Sequence, residues 1–115
     1  VVGSPGDKGI SRREGFAKAL NQFADTAILT SDDPGFEDPA AIAAQIMADI
    51  DQQKVSAQVI LDRAAAIKTA ILNSQAGDLV VLAGKGADAT QKVRGVDTPW
   101  PTDMAIAQQV AQELN

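Results

Sequence analysis

Short apolar runs of strand length alternate along this chain with segments whose apolar residues fall at steps of three and four. Residues 1–2, 27–29, 55–61 and 79–83 are the strand-like runs, and Val59, Ile60 and Leu61 form the apolar end of the third. Between the first two runs, residues 12–23 carry Phe16, Ala19, Leu20 and Phe23, a helical stripe. Asp38 followed by Pro39 is an N-cap and first-turn signature, and Ile42, Ile46, Met47 and Ile50 give that helix its inward face. Asp62 starts the next helix, with Ala66, Ile67, Ala70 and Ile71 as its stripe. Gly77 and Asp78 turn the chain into LVVLAG, the strongest strand signal and apolar throughout, as a central parallel strand should be. Residues 92–100, KVRGVDTPW, suggest a hairpin or irregular crossing around Gly95. Thr102 or Asp103 then caps a last helix, with Met104, Ile106, Ala107 and Val110 inward. Strands alternating with helices of this length predict an α/β fold: a Rossmann-like three-layer sandwich. It has a mostly parallel sheet, helices on both faces and a short hairpin near the C-terminus.

At 115 residues the chain suits one domain, and 45% apolar content is enough for a core. It has no Cys and no His, which removes disulfides, thiolate nucleophiles, imidazole bases and Cys/His zinc sites from consideration. Aromatics make up 3% and the net charge is −5. Stacking platforms for nucleic acid and long phosphate contacts are therefore not expected. No apolar run approaches the roughly 18 residues of a membrane span, and a cytoplasmic setting fits the absence of cysteine. The opening Val1-Val2-Gly3 has neither an initiator Met nor a basic leader. It reads as the first strand of a domain, residues 1–115, cut from a longer polypeptide.

In open α/β sheets, ligands bind beyond the carboxyl ends of the strands, and three such ends are chemically loaded. The first is GSPGDKG, residues 3–9, followed by Arg12 and Arg13 near a helix N-terminus. Its glycine spacing matches neither a dinucleotide fingerprint nor a P-loop. It is either a turn needing positive φ or a turn that also holds an anion. The two arginines alone read as a solvated helix face. The second end is Asp32-Asp33-Pro34-Gly35, an Asx-turn pair on the bland reading and a metal or phosphoacceptor site on the sharp one. A response-regulator arrangement fails on position, because the acidic pair follows the second strand. Glu37 reads as solvated. The third end is Gly84-Lys85-Gly86-Ala87-Asp88, where Asp88 also suits a turn cap. The end of the 55–61 run, Asp62-Arg63, looks like a capped helix start and little more. A rim that is cationic at one turn and anionic at two others suits a zwitterion, with a carboxylate near Lys8 and Arg12 and an ammonium near Asp32 and Asp88. Each charge-assisted bond would contribute about 1.5–3 kcal/mol if desolvated.

VVGSPGDKGISRR, ILTSDDPGFEDPAAI, DRAAAIKTAI and GDLVVLAGKGADATQKVRG stand in the order and spacing of the C-terminal domain of Mur ligases. Over essentially the whole chain they most resemble the MurE type, which adds the third amino acid of the peptidoglycan stem peptide. The resemblance implies an ATP-dependent ligase of three domains. ATP, Mg2+ and the UDP-MurNAc-dipeptide would be held mainly outside this one. The substrate carboxylate would be phosphorylated and the amine of the incoming amino acid would attack it, with this domain presenting that amino acid. No catalytic residue and no metal ligand is expected in residues 1–115.

In the diaminopimelate-adding members a D-N-P-R motif contacts the amino acid, its arginine pairing with the extra carboxylate. Asp32, Asp33, Pro34 and Gly35 match it here, so Gly35 becomes a specificity position. The family's G-K-G-H-E matches Gly84, Lys85, Gly86, Ala87 and Asp88, without the histidine and one methylene shorter at the acid. Both departures resemble the lysine-adding type. The resemblance thus implies L-lysine as partner, Asp32, Asp33, Gly84, Asp88 and Lys8 as its binding residues, and Arg12 and Lys85 as candidates for an anion or phosphate contact. Ligases for diaminopimelate, folylpolyglutamate synthases and a non-catalytic amino-acid-binding module are the alternatives.

Overall fold

The computed structural model describes residues 1–7 and 9–114. Its elements run α1 (Arg12–Phe23), β1 (Thr26–Leu29), α2 (Pro39–Ala48), β2 (Ser56–Val59), α3 (Arg63–Leu72), β3 (Thr90–Val93), β4 (Val96–Pro99) and α4 (Asp103–Glu113). The helix starts follow local chemistry. Asp38 accepts from the Ala40 N–H at 3.0 Å with Pro39 behind it, Asp62 accepts from Ala65 N–H, and Thr102 accepts from Ala105 N–H.

β1 and β2 pair in parallel, Thr26 beside Ser56 through Leu29 beside Val59. Val2 bridges Leu29 in parallel on the other side of β1. Residues 79–83 extend alongside Val1: the Val1 amino group donates to Val81 O at 2.8 Å, and Ala83 N–H donates to Val1 O at 2.9 Å. These two bonds bracket Leu82, as a parallel ladder requires. The four extended segments therefore lie in the order third, second, first, fourth, which is the Rossmann order. The chain steps outward through the first three and then crosses back beyond the first, so the topological switch point, where such sheets place a ligand crevice, falls between the first and fourth ends. α1 packs with α2 on one face, and α3 packs with α4 on the other, as crossovers of one hand require for this strand order.

Val2, Ala17, Ala27, Leu29, Ala43, Ile46, Ile50 and Val55 form the core between the sheet and α1–α2. Ala66 and Ile67 are buried on the opposite face. Several expectations change, that of an inward Met104 among them, since it is 64% exposed on α4. LVVLAG lies at the edge of the described sheet, with Leu79 87% exposed and Val81 57% exposed, because an apolar strand is buried only when neighbours flank both sides. Between it and β1 runs an apolar groove of about 690 Å³. Phe23 is also exposed, at the last position of α1. The hairpin is present: β3 and β4 are antiparallel, and Arg94 and Gly95, both at positive φ, make its two-residue turn.

The glycine-rich and acidic turns are locked together before any ligand is considered. Arg13 is buried, and its guanidinium donates to both Glu37 carboxylate oxygens at 2.9 and 3.0 Å, to Gln45 Oε1 and to Pro5 O. Glu37 also accepts from the Asp7 N–H at 2.7 Å. Arg13 is thus no solvated helix face, and Glu37 is not simply solvated. Arg13 and the Asp7 amide hold the Glu37 carboxyl below its ordinary range.

Two stability measurements follow. Ile46→Ala should cost about 2–5 kcal/mol in urea unfolding, whereas Phe23→Ala should stay within about 0.5–1 kcal/mol despite its place in the apolar stripe. Because the Glu37 carboxyl is depressed, its contribution is present above the ordinary glutamate value near about 4.3 and is lost as pH falls through the lowered one. The melting temperatures of the wild type and Glu37→Gln should therefore differ at neutral pH and converge in acid. A constant gap down to about pH 2 would show that the charge is not what stabilises.

Candidate functional site

Asp32 and Asp33 follow β1 at the carboxyl edge of the sheet, beside the crevice. Asp32 is 6% exposed. Lys85, from the turn after residues 79–83, is buried against both: its Nζ lies 3.1 Å from Asp33 Oδ1 and 3.6 Å from Asp32 Oδ1. An ammonium taken out of water must be paired, and this one is paired by the two acids. Gly84 makes the approach possible. It has φ +101°, and a Cβ there would sit 2.8 Å from Asp32 Oδ2. Burial pushes the Asp32 carboxyl above its usual range, while the charges of Lys85 and Arg63 pull it back. Two carboxylates and one ammonium leave this cluster with a formal charge of −1.

Asp33 has φ +44°, a left-handed conformation that aspartate tolerates. This sets its N–H toward Gln91 Oε1 at 2.8 Å and its carboxylate toward the Lys92 N–H at 2.7 Å. Gly35 then donates to Lys92 O and accepts from Arg94 N–H, so β3 is built directly onto the acidic turn. From the other side, Gly6 N–H donates to Asp33 O at 2.9 Å, and the Asp7 carboxylate accepts from Phe36 N–H at 2.9 Å. That carboxylate lies where a side chain on Gly35, at φ +62°, would begin.

The structure thus brings Asp32, Asp33, Gly84 and Lys85 into one cluster, with Gly35 adjoining through Asp7. Lys85 turns inward to the acids instead of outward to an anion. Asp88 is exposed on the next turn, its N–H donating to Lys85 O at 3.0 Å. Arg12 is exposed at the start of α1, its N–H closing a turn on Gly9 O. Among the described residues, neither side chain takes part in a hydrogen bond or ion pair. Lys8 lies outside the described residues. Among those residues no group of three or more acids is arranged to hold a metal ion.

Sequence reasoning missed Arg63. It is buried and makes four hydrogen bonds: two to the Asp103 carboxylate at 2.7 and 2.8 Å, one to Ser31 O and one to Ala83 O, both at 3.1 Å. Asp103 also accepts from Trp100 Nε1–H at 3.3 Å. A signal was available. Arg13 and Arg63 both sit in the first turn of a helix, where the dipole disfavours a cation, so each required a compensating acid elsewhere.

Residues 1–86 match the model of the family described as Mur ligase, glutamate ligase domain. A UDP-N-acetylmuramyl-tripeptide synthetase of Latilactobacillus sakei subsp. sakei is 72% identical over 115 residues, covering 100% of this chain and 22% of that protein. A UDP-N-acetylmuramoyl-L-alanyl-D-glutamate–L-lysine ligase of Enterococcus faecalis is 48% identical, covering 100% of this chain and 23% of that protein. A solved structure of a UDP-N-acetylmuramoyl-L-alanyl-D-glutamate–2,6-diaminopimelate ligase superposes with a TM-score of 0.90 at 34% identity. It covers 98% of this chain and 23% of that one. The chain thus spans less than a quarter of the length of these relatives. With three quarters of its residues inside the family model and its fold reproduced, the chain belongs to the Mur ligase family.

Proposed function

We propose that residues 1–115 are the C-terminal, amino-acid-presenting domain of an ATP-dependent ligase that adds L-lysine to UDP-MurNAc-L-Ala-D-Glu in peptidoglycan precursor synthesis, in the cytoplasm. The observation that carries this reading is the acidic cluster at the crevice, still net negative after Lys85 is counted, beside a Gly35 covered by the Asp7 carboxylate. A cationic side chain is attracted there. A second substrate carboxylate would meet like charge at a cost of about 1–4 kcal/mol at 4 Å, depending on local screening. The lysine ligase among the relatives agrees with this preference.

The glycine turn has no P-loop pattern, and in this reading ATP and Mg2+ are held mainly by the rest of the enzyme. The work assigned to this domain is therefore binding and orientation. Asp33, about one third exposed, is the reachable acceptor for the lysine ammonium, and buried Asp32 supplies field behind it. Holding the attacking amine in register accounts for a large share of such a rate by proximity.

In the full-length enzyme, Asp33→Asn should raise KM for lysine by about 10- to 100-fold, the loss of one charge-assisted bond. Gly35→Arg should lower kcat/KM for lysine relative to diaminopimelate, with Gly35→Ala as the control for displacing Asp7 and for the strained φ. Equal lysine-to-diaminopimelate ratios in wild type and Gly35→Arg would remove Gly35 as a specificity position. The 115-residue chain alone should bind lysine only weakly in calorimetry, since one wall of the pocket belongs to the rest of the enzyme. Tight binding would favour an amino-acid-binding module.

A further inference from the structure

Ser31 immediately precedes Asp32, and Ala83 immediately precedes Gly84. Their carbonyls are the two main-chain groups to which Arg63 donates, each at 3.1 Å. The same guanidinium is gripped in bidentate fashion by Asp103, the first residue of α4, and Asp103 is held in turn by Trp100 Nε1–H. Thr102, between them, sits at φ +86°, a conformation a β-branched residue adopts only when its surroundings impose it. One buried cation therefore sets the spacing between the acidic turn and the Gly84–Lys85 turn, without itself facing the crevice.

We propose that Arg63, clamped by Asp103 and Trp100, is a positioning residue for amino-acid recognition: it fixes the distance between the Asp32–Asp33 turn and the Gly84–Lys85 turn. This rests on the proposed role of that cluster in holding the incoming amino acid. A planar fork is needed, because only a guanidinium can reach two carbonyls and both oxygens of one carboxylate together. A lysine can keep the charge opposite Asp103 but cannot span both carbonyls. If the ends drift apart, Lys85 no longer meets both acids and the negative pocket loses its shape. Sites in which binding groups shift by about 1 Å lose up to about a hundredfold in activity.

The test uses the full-length ligase with Arg63→Lys and Trp100→Phe. Arg63→Lys should raise KM for the amino acid about tenfold or more, with kcat and the KM values for ATP and UDP-dipeptide nearly unchanged. Trp100→Phe, which leaves Arg63 and Asp103 in place but removes one bond to Asp103, should move the same constant in the same direction by less. Hydrogen exchange on the full chain supplies a readout independent of turnover: residues 30–36 and 82–88 should exchange faster in both variants, with residues 12–24 unchanged. Equal losses in all kinetic constants, or faster exchange spread evenly through the domain, would reduce Arg63 to a purely structural role and overturn the proposal. Where Arg63→Lys does not fold, Trp100→Phe carries the same two readouts alone. A wild-type enzyme that does not join lysine would sink the lysine reading, whereas the exchange pattern still decides the role of Arg63.

Discussion

A guanidinium with no solvent exposure is the constraint on which this carboxyl edge depends. Leaving Arg63 unpaired in the interior would cost several kcal/mol, and removing one partner of such a pair typically costs about 3–5 kcal/mol. The Arg63 side chain is fully buried and that of Asp103 nearly so. The pair draws together elements far apart in sequence: the start of α3, the start of α4, the end of β1 and the end of the 79–83 segment. Apolar packing of α3 on α4 alone would leave the rotation of α4 loosely specified. Burying a fork that has one geometric solution removes that freedom, and Thr102, beside Asp103, sits at positive φ.

The buried cation at the acidic turn has a different character. Lys85 is a point charge between two acids that are themselves part-screened, so the cluster is net negative and adjustable. Burial raises the Asp32 carboxyl while Lys85 lowers it. Desolvation is the larger influence, and Lys85 and Arg63 oppose it by favouring the charged form of Asp32. The lysine that sequence motifs offered as an outward anion contact acts instead as an internal counter-ion. A cluster built this way stays formally negative without holding two bare carboxylates apart from solvent.

The layers of the fold were legible because α/β architecture is written in period and punctuation. The steps of three and four in residues 12–23 and the Asp38-Pro39 and Asp62 caps need no tertiary information. The edge position of residues 79–83 was not legible: an apolar run reports that it can be buried, not that neighbours flank it on both sides. The cluster of Asp32, Asp33, Gly84 and Lys85 was half legible. Chain order places these residues at strand ends, and Rossmann topology brings the ends together, but only coordinates show Lys85 turned inward. Arg13 and Arg63 were read as surface and cap residues because local rules treat helix starts one at a time. Each opposes its own helix dipole, and the acid that reverses the balance lies 24 residues away for Arg13 and 40 for Arg63.

The acidic turn is also a structural joint, and this limits which substitutions it can accept. Gly35 pairs with β3 through main-chain bonds on one side and supports the Asp7 carboxylate on the other. Asp7 in turn meets Phe36 N–H and, through its own N–H, Glu37, which is bound to Arg13. A side chain added at Gly35 therefore displaces a carboxylate that is one member of a chain ending at a buried guanidinium. A charged side chain cannot be introduced at Gly35 without disturbing the glycine-rich turn. A side chain at Gly35 is accommodated only if Asp7 changes with it, with β3 and Arg13 left intact to hold the frame.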